Sequence, residues 1–486
     1  MSLRNLACML LLGLGLFSAP VHAQATFYVA TDGANLPGNG SAAAPWATIE
    51  YALTRVPDAS LILVRPGTYG GRIRVHGSFA QGVTVRSEVP YRARLRHDAT
   101  VLTIYNDSAN IEGITIEGFD IAHAGAGAGA LVVQVQDGFG TETRRITLRD
   151  NILHDSFNND VLKVNNGASQ VRIVGNLFYN QNGSDEHIDI NSVDDVVVGD
   201  NVFFNDFAAS GRPVPTDTSA FVVIKDSNGA EDEYVGARNV VVRRNLFANW
   251  QGSLGSNFLL LGEDGTANVE AFAITVENNL FIGNSAQAMR AAFGCKGCGD
   301  IVFRANTVVG DLPGNAYAMR VNREGANPTP TNLRFFNNLW ADTAGTMGDF
   351  SDTLTGDVGT FVLVRNGYWN AGNTLPNDLT DVINIANDPQ PVTGDPRLPS
   401  PAGLVTPWWN ETSGTFNGGH ATIRAAFLAL ARAHGAPAAG GAGINAANAA
   451  EMPTTDLFNA PRDATPDLGA VEFVDPGILL RDGFER

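Results

Sequence analysis

The segment Val171-Arg-Ile-Val-Gly-Asn176-Leu-Phe178 is one copy of a pattern that decides the fold. Each copy is a short β-rich strand, a turn that carries Asn, and a second short strand. A repeat length of about 20 to 50 residues is typical of solenoids and other repeat architectures. The seven copies, with spacings of 25, 25, 44, 34, 27 and 32 residues, place their Asn at Asn151, Asn176, Asn201, Asn245, Asn279, Asn306 and Asn338.

The alternation inside each copy selects among the repeat architectures. Apolar residues recur with period two, whereas helical repeats need a period near 3.6. The leucine lattice of leucine-rich repeats is absent, and propeller blades would need four hairpin-linked strands per repeat. The sequence therefore predicts an all-β, right-handed parallel β-helix, in which each repeat is one coil that pairs with the next.

The column of Asn residues has a physical explanation. Asn tolerates the left-handed backbone conformation, and its side-chain amide can bond a neighbouring backbone group. Stacked one coil apart, such amides can form a hydrogen-bonded ladder inside the solenoid. We therefore expect these Asn to be buried and structural, and we expect the variable spacings to place binding loops on one side.

The two ends of the chain differ from the repeat. Residues 1–23 combine a basic start at Arg4, an apolar run and small residues up to Ala23, which is typical of a secretory signal peptide. Residues 24–475 are interpreted as one domain, with a short capping helix within 44–55 and degenerate last coils and a cap in 341–475, including a helical stretch near 421–433. Residues 476–486 form a tail. We expect a secreted monomer, extracellular or periplasmic, that does not span a membrane.

The chain is acidic, with 32 basic and 50 acidic residues and a formal net charge of −18. Such a chain is a poor candidate for nucleic acid, because few basic groups could release phosphate counterions. Acidic proteins often bind hard cations such as Ca²⁺. The alternative is that the acidity only keeps an exported protein soluble.

The three cysteines are simple to assign. Cys8 belongs to the predicted signal peptide, which leaves Cys295 and Cys298. One Cys-Lys-Gly-Cys pair cannot supply four thiolates to a zinc ion. In an oxidising compartment a small loop disulfide is expected, and a redox role is the alternative.

Several segments resemble the first and last parts of secreted right-handed β-helix proteins, which include pectate lyases. At the start they are Phe27-Tyr-Val-Ala-Thr-Asp-Gly33, Pro45-Trp-Ala-Thr-Ile-Glu50 and Val64-Arg-Pro-Gly-Thr-Tyr69, and at the end Asp456-Leu-Phe-Asn-Ala-Pro-Arg462 and Asp467-Leu-Gly-Ala-Val-Glu472. The resemblance frames almost the whole mature chain. It implies the fold and leaves the activity open.

Residues 154–228 hold the richest set of polar side chains. Asp160 and Asp185 are 25 residues apart, as the local Asn are, so we expect them to stack about 4.8 Å apart. Alternation along the strands places Lys163, His187 and Asp189 on the outer face. Ca²⁺ would relieve the repulsion of a carboxylate cluster, since it binds oxygen ligands; the alternative is a set of ordinary solvated turn carboxylates. The predicted cluster consists of Asp160, Asp185, Glu186 and Asp189.

This arrangement resembles the calcium site of the ninth family of polysaccharide lyases, which includes β-helical pectate lyases. In that family an Asp on one coil joins an Asp-Asp-x-x-Asp group on the next, and a Lys further along is the base. Here Asp160 and Asp185-Glu186-His187-Ile188-Asp189 match that order with one Glu substitution, and Lys225 follows 36 residues after Asp189. The resemblance implies Ca²⁺-dependent β-elimination from an acidic polysaccharide, with Lys225 as the base.

The implied elimination requires Lys225 to accept a proton from the substrate. A uronate carboxylate bound to Ca²⁺ loses electron density, so the neighbouring C5 proton becomes more acidic. A lysine near cations and partly desolvated is expected to have a lowered pKa and to accept that proton. The alternative is a solvated surface lysine paired with Asp226.

Other basic residues are candidates for substrate binding. Arg290 and Arg320 are 30 residues apart, about one coil, and we expect both to project from one face and bind sugar acids. Pairing with acids such as Glu324 is the alternative. Lys163 and His187 are further candidates for substrate binding, and His154 could also serve the site. The alternative for each histidine is an ordinary hydrogen-bonding surface residue. Two rival functions stay open: a non-catalytic glycan-binding or surface module, and a β-helical glycoside hydrolase, which would need paired carboxylates.

Overall fold

The computed structural model describes residues 24–183, 185–215, 219–226 and 233–474. The predicted signal peptide and the whole predicted tail lie outside these ranges. The strands stack into three long parallel sheets of 12, 12 and 10 strands. Each coil passes in turn through what we call sheets 1, 2 and 3, which confirms the predicted right-handed parallel β-helix.

The strand bounds of the three sheets follow the chain. Sheet 1 contains Thr26–Val29, Leu61–Val64, Ser78–Ser87, Ile111–Glu117, Thr143–Arg149, Ser169–Val174, Asp194–Gly199, Ala237–Arg243, Ala271–Glu277, Cys298–Arg304, Thr331–Phe336 and Phe361–Val364. Sheet 2 contains Gly67–Gly70, Ala93–His97, Asp120–His123, Ile152–His154, Leu177–Tyr179, Val202–Phe204, Leu246–Phe247, Leu280–Gly283, Thr307–Gly310, Leu339–Asp342, Gly367–Asn370 and Val392–Thr393. Sheet 3 contains Ile73–Arg74, Leu102–Ile104, Val133–Gln136, Leu162–Asn165, Ile188–Asn191, Ala220–Lys225, Asn257–Leu261, Ala291–Lys296, Met319–Asn322 and Ser351–Asp352.

Few other regular elements are present. Helix α1 spans Ile49–Leu53 and helix α2 spans Ile423–Gly435. Short 3-10 helices span Ile385–Asn387 and Ala449–Glu451, and strands Trp409–Asn410 and Thr415–Phe416 form an antiparallel hairpin. Among the described residues, none of the helices is long and apolar enough to cross a membrane.

Stacked apolar side chains fill the interior of the solenoid. Phenylalanines from successive coils of sheet 2 stack with ring centroids 5.0, 4.8 and 4.7 Å apart, close to the spacing of neighbouring strands. Stacked aromatic rings bury a large apolar area and fix one coil above the next. The residues in this stack are Phe178, Phe203, Phe247 and Phe281.

The predicted Asn ladder is confirmed, and Asn366 extends it by one coil. All eight side chains are fully buried, and the backbone N–H of each of the first seven donates to the next Asn Oδ1 at 2.8–3.0 Å. The left-handed conformation belongs to the residue before each Asn, with φ between 52° and 71°. Each amide therefore satisfies buried backbone groups, which would cost about 1 to 3 kcal/mol each if left unpaired.

The last part of the chain covers one side of the solenoid. After strand Val392–Thr393 it leaves the coils and packs along the outer face of sheet 2, where Phe427 of α2 lies against apolar residues such as Leu280. The predicted cap of the last coils is therefore, from this point on, a lateral cover. The reason is that outward residues of sheet 2 are apolar over many coils and need burial: Ile152, Leu177, Val202, Leu246, Leu280 and Val309.

The C-terminal motifs belong to this cover. Leu457 and Ala470 lie in its apolar cluster, and the backbone N–H of Ala470 donates to Thr307 Oγ1 at 2.9 Å. The segments expected to form a last coil thus lie beside sheet 2. Cys295 and Cys298 form the predicted disulfide at the turn from sheet 3 to sheet 1.

Candidate active site on the outer face of sheet 3

Three neighbouring strands of sheet 3 position the candidate site. Lys163 pairs with Asp189, and Asp189 pairs with Val223. The flanking residues of each strand are buried in the core, so Lys163 and Asp189 point outward. Lys225 follows Val223 by two residues and therefore shares this outer face.

Three carboxylates converge at the start of these strands. Oxygens of Asp160, Glu186 and Asp189 lie within 4.8 Å of one another, and the three residues are only 2, 4 and 2% exposed. The backbone N–H of Glu186 donates to Asp160 Oδ1 at 3.0 Å. Of the four predicted carboxylates, the structure brings these three together.

The fourth predicted carboxylate, Asp185, stays outside this group among the residues the structure describes. Its side chain accepts a hydrogen bond from Asn182 at 3.4 Å. The cause is the register: Asp160 stacks on Glu186, 26 residues away, whereas the Asn spacing of 25 predicted Asp185. The bend before sheet 3 is one residue longer in the second coil, and this shifts the alignment by one position.

The placement of His187 has another cause, because this residue lies just before strand Ile188–Asn191, where the alternation of the strand does not apply. The pairing of Leu162 with Ile188 aligns His187 with Val161, and both side chains point into the core. The imidazole stacks on Phe221 with centroids 4.4 Å apart, and its Nε2 lies 2.9 Å from Asn205 Oδ1. Burial lowers the pKa of His187 to about 3. The prediction that His187 faces outward and binds substrate is wrong.

The carboxylates repel one another in a desolvated setting. Burial, followed by the charge of Asp189, raises the pKa of Asp160 to about 6. Burial and the charge of Asp160 raise the pKa of Glu186 well above its usual value. Glu186 Oε1 is buried and has no hydrogen-bond partner in the described part of the chain. Buried, mutually repelling oxygens with an unpartnered acceptor fit a hard divalent cation as ligands.

Two lysines lie against the cluster. Lys163 Nζ is 2.6 Å from Asp189 Oδ2 and 3.9 Å from Asp160 Oδ2. Lys225 Nζ is 3.7 Å from Asp189 Oδ2 and also forms an ion pair with Glu263. The two amines therefore pair with Asp160 and Asp189, and among the described residues no ion pair within 4.0 Å involves Glu186.

The surroundings of Lys225 match neither the expected lowering of its pKa nor the alternative of a pair with Asp226. Burial acts to lower its pKa, but the charges of Asp189, Glu263 and Glu186 outweigh burial and raise it, so the expected lowering is wrong in the protein alone. Asp226, the expected alternative partner, instead accepts the backbone N–H of Gly236 at 2.8 Å.

Glu263 is a site residue that the sequence reasoning missed. The signal was available in the apolar run Phe258-Leu-Leu-Leu261, which lies one coil after Phe221-Val-Val-Ile224. Aligning these two runs places Glu263 just beyond the row of Lys225. Its carboxylate is what pairs with the Lys225 amine.

Arg290 and Arg320 meet, but not through the expected repeat. Strand pairing places Arg320 beside Gly294, while Arg290 lies in the bend before that strand. The two guanidinium groups nevertheless converge on one acid, with Arg290 Nη1 at 3.2 Å and Arg320 Nε at 3.4 Å from Asp352 Oδ2. The expected alternative partner, Glu324, instead forms an ion pair with Lys296.

His154 belongs to another face of the molecule. It ends strand Ile152–His154 of sheet 2 and lies 2.8 Å from both Asp120 and Asp155. The prediction that His154 could serve the site is wrong, because the chain turns from sheet 2 to sheet 3 between His154 and Asp160.

Comparison with known proteins supports the fold but identifies no family for the chain. No family model matches the chain, and no curated protein matches it. Among solved structures, pectate lyase Pel9A is similar at 15% identity over 94% of this chain and 98% of that chain, with a TM-score of 0.50. The complex of XylC with xylose is similar at 10% identity over 93% and 98%, also with a TM-score of 0.50. These similarities support a parallel β-helix along almost the whole chain.

Proposed function

We propose that this protein is a secreted, Ca²⁺-dependent lyase that cleaves a uronate-containing polysaccharide by β-elimination. The observation that carries the proposal is the group of buried carboxylates of Asp160, Glu186 and Asp189, with the amine of Lys225 3.7 Å from Asp189 Oδ2. The similarity to pectate lyase Pel9A supports the same class of substrate.

The three carboxylates would hold the ion. Glu186 contributes the unpartnered oxygen, and Asp160 and Asp189 contribute charge that the protein only partly neutralises through Lys163. Bound Ca²⁺ supplies a Lewis acid that draws electron density from a uronate carboxylate and acidifies its C5 proton.

Lys225 is the candidate base. Once Asp189 and Glu186 are committed to a cation, their pull on the Lys225 proton weakens, while burial continues to disfavour the ammonium, so its pKa falls. Lys225 Nζ then accepts the C5 proton, the electron pair of that C–H bond forms the C4–C5 double bond, and the C4–O4 bond breaks. O4 leaves with the electron pair and takes a proton from water.

A non-catalytic glycan-binding module is the second candidate. It is favoured by the raised pKa of Lys225, because a lysine that stays protonated binds a carboxylate but abstracts no proton. The two candidates share a binding face and differ only in the protonation of this amine.

The test is incubation with a panel of uronate polymers, with Ca²⁺ or with a chelator, while the ultraviolet absorbance of the unsaturated product is followed. We expect product only with Ca²⁺. Lys225→Ala should lower the rate by about a hundredfold or more and leave Ca²⁺ affinity intact. Lys163→Ala is the matched control, since it removes a neighbouring outward lysine that only pairs with the cluster.

Each result has a distinct meaning. Loss of activity in Lys163→Ala but not in Lys225→Ala would contradict the role of Lys225. Polymer binding without unsaturated product would support the binding module. New reducing ends without unsaturated product would support a hydrolase.

A further inference from the structure

All three lysines of this 486-residue chain lie on the outer face of sheet 3. The chain has 32 basic residues, so the others are arginines. Lys163 and Lys225 belong to the candidate site, and Lys296 lies further along the same face. This restriction of lysine to one face directs attention to Lys296, which the proposed elimination does not use.

Lys225 and Lys296 stand in one row, two coils apart. Ile224 pairs with Leu261, and Leu261 pairs with Cys295, so the following residues, Lys225, Gly262 and Lys296, are aligned. Neighbouring strands are about 4.8 Å apart, which separates the two lysines by about 10 Å along the axis. That distance is comparable to the advance of an extended glycan over two sugar rings.

The position between the two lysines is kept open. Gly262 has φ +77°, and a Cβ there would lie 2.1 Å from the carbonyl oxygen of Lys296. A side chain is therefore excluded from the middle of the row. The next residue, Glu263, joins both lysines: its carboxylate pairs with Lys225, and its backbone carbonyl accepts a hydrogen bond from Lys296 Nζ at 2.9 Å.

The backbone at Lys296 is fixed. Cys295 and Cys298 form a disulfide that brackets Lys296 and Gly297, and both sulfur-bearing residues are buried. The Lys296 amine thus projects from a braced turn. Preorganised groups of this kind bind with a smaller loss of conformational freedom.

The current partner of Lys296 is easily exchanged. Its Nζ is 2.7 Å from Glu324 Oε2, and the Glu324 side chain is 44% exposed. Exposed ion pairs contribute little to stability, so replacing this carboxylate by one from a ligand costs little.

We propose that Lys296 binds a second carboxylate of the glycan, two sugar rings from the residue held at Lys225, by displacing Glu324. The inference rests on the proposed function and adds a direction and a charge pattern to the substrate. The glycan runs along sheet 3 from the carboxylate cluster toward the later coils. It carries carboxylates at least on alternate sugars, as a homopolymer of uronates does.

The test uses oligouronates of increasing length and calorimetric binding in the presence of Ca²⁺. A Lys225→Ala background prevents turnover. We expect Lys296→Gln to weaken the binding of long oligomers by about tenfold, as expected for loss of a charge-assisted hydrogen bond, and to leave a disaccharide unaffected. Glu324→Gln should act in the opposite direction and strengthen binding of the long oligomers, because it frees the amine.

An equal effect of Lys296→Gln on short and long oligomers, or no effect on either, would overturn the proposal. The result is separable from the elimination assay. Length-dependent binding without unsaturated product would retain the Lys296 site and reject the lyase. Unsaturated product without this length dependence would do the reverse.

A second measurement uses the same Lys225→Ala protein. Reductive methylation followed by mass spectrometry can report on the amines of Lys163 and Lys296 individually. Long oligouronates should protect Lys296 from methylation, whereas a disaccharide should not. Equal methylation of Lys296 with and without the long oligomer would contradict the proposed contact.

Discussion

The outer faces of sheets 2 and 3 both carry buried carboxylates, but the pKa values of these carboxylates shift in opposite directions on the two faces. On sheet 2, Asp120 lies 2.7 Å from Arg96 and 2.8 Å from His154. Burial would raise the pKa of Asp120, but these two cations outweigh burial and lower it. On sheet 3, burial and repulsion raise the pKa of Asp160 and Glu186.

The two faces also differ in what covers them. Glu411, in the C-terminal cover, forms ion pairs with Arg94 at 2.6 Å and Arg96 at 3.2 Å, which ties the cover to sheet 2. On sheet 3, ion pairs join Asp160 and Asp189 to the two lysines, but among the described residues no ion pair within 4.0 Å involves Glu186. Charges on sheet 2 are therefore largely paired and help to join the cover to the solenoid, whereas those on sheet 3 are less completely paired, which is why we propose that a ligand binds there. Strongly perturbed carboxylates of this kind concentrate at functional sites.

The largest expected effect compares one substitution on each face. Asp120→Asn should destabilise the protein by about 3 kcal/mol, because it removes the buried counter-charge that His154 and Arg96 share and leaves them only Asp155 and Glu411. Asp160→Asn should cause no such loss without Ca²⁺, because it relieves repulsion. Denaturant unfolding in chelator measures both variants. Similar losses for the two would remove the distinction between the faces.

The second prediction concerns alkaline pH and sheet 2. Burial disfavours the charged form of His154, but Asp120 and Asp155 outweigh burial and raise its pKa to about 9. A histidine with a raised folded-state pKa stabilises fully below its unfolded value near 6.5, and the contribution is lost as the pH rises through about 9. Up to about 3 kcal/mol should disappear over this range. The unfolding free energy of His154→Gln, measured as a function of pH, should lack this decline; an unchanged profile would contradict the assignment.

The smallest expected effect concerns Lys163. Its ammonium competes with a cation for Asp189 and Asp160. Lys163→Met should therefore strengthen Ca²⁺ binding by a few fold, and in chelator it should lower stability, because it leaves the buried carboxylate of Asp189 with Lys225 as its one ion-pair partner among the described residues. Calorimetry on the wild type and the variant would show it, and weaker binding in Lys163→Met would mean that Lys163 supports the ion.

The coil repeat could be predicted because its signals are local. Alternation and the Asn column lie within short segments, so Asn151 and its equivalents were placed without knowledge of distant contacts. The site was placed only approximately. The constant Asn spacing of 25 aligns Asp160 with Asp185, whereas the bend before sheet 3 adds one residue and brings Glu186 into the cluster.

Contacts between residues that are far apart in the chain leave no repeating pattern in the sequence. Glu411 meets Arg94 across 317 residues of sequence, so the path of the C-terminal cover could not be predicted from repeats. In the protein without a cation the pKa of Lys225 is raised, partly by Glu263, which lies 38 residues away in sequence and in another coil. Local sequence patterns thus predict the coils of the solenoid, whereas contacts between residues distant in sequence determine the pKa values of the site residues.

The most direct test of the account is a calorimetric titration of Ca²⁺ into chelator-treated protein at pH 7 and pH 5. We predict one ion per chain at pH 7, abolished by Glu186→Gln, and much weaker binding at pH 5, because the pKa of Asp160 is about 6 and its protonated form is a poor ligand. Absence of binding at pH 7, or binding that Glu186→Gln leaves unchanged, would contradict the claim that this carboxylate group is a cation site.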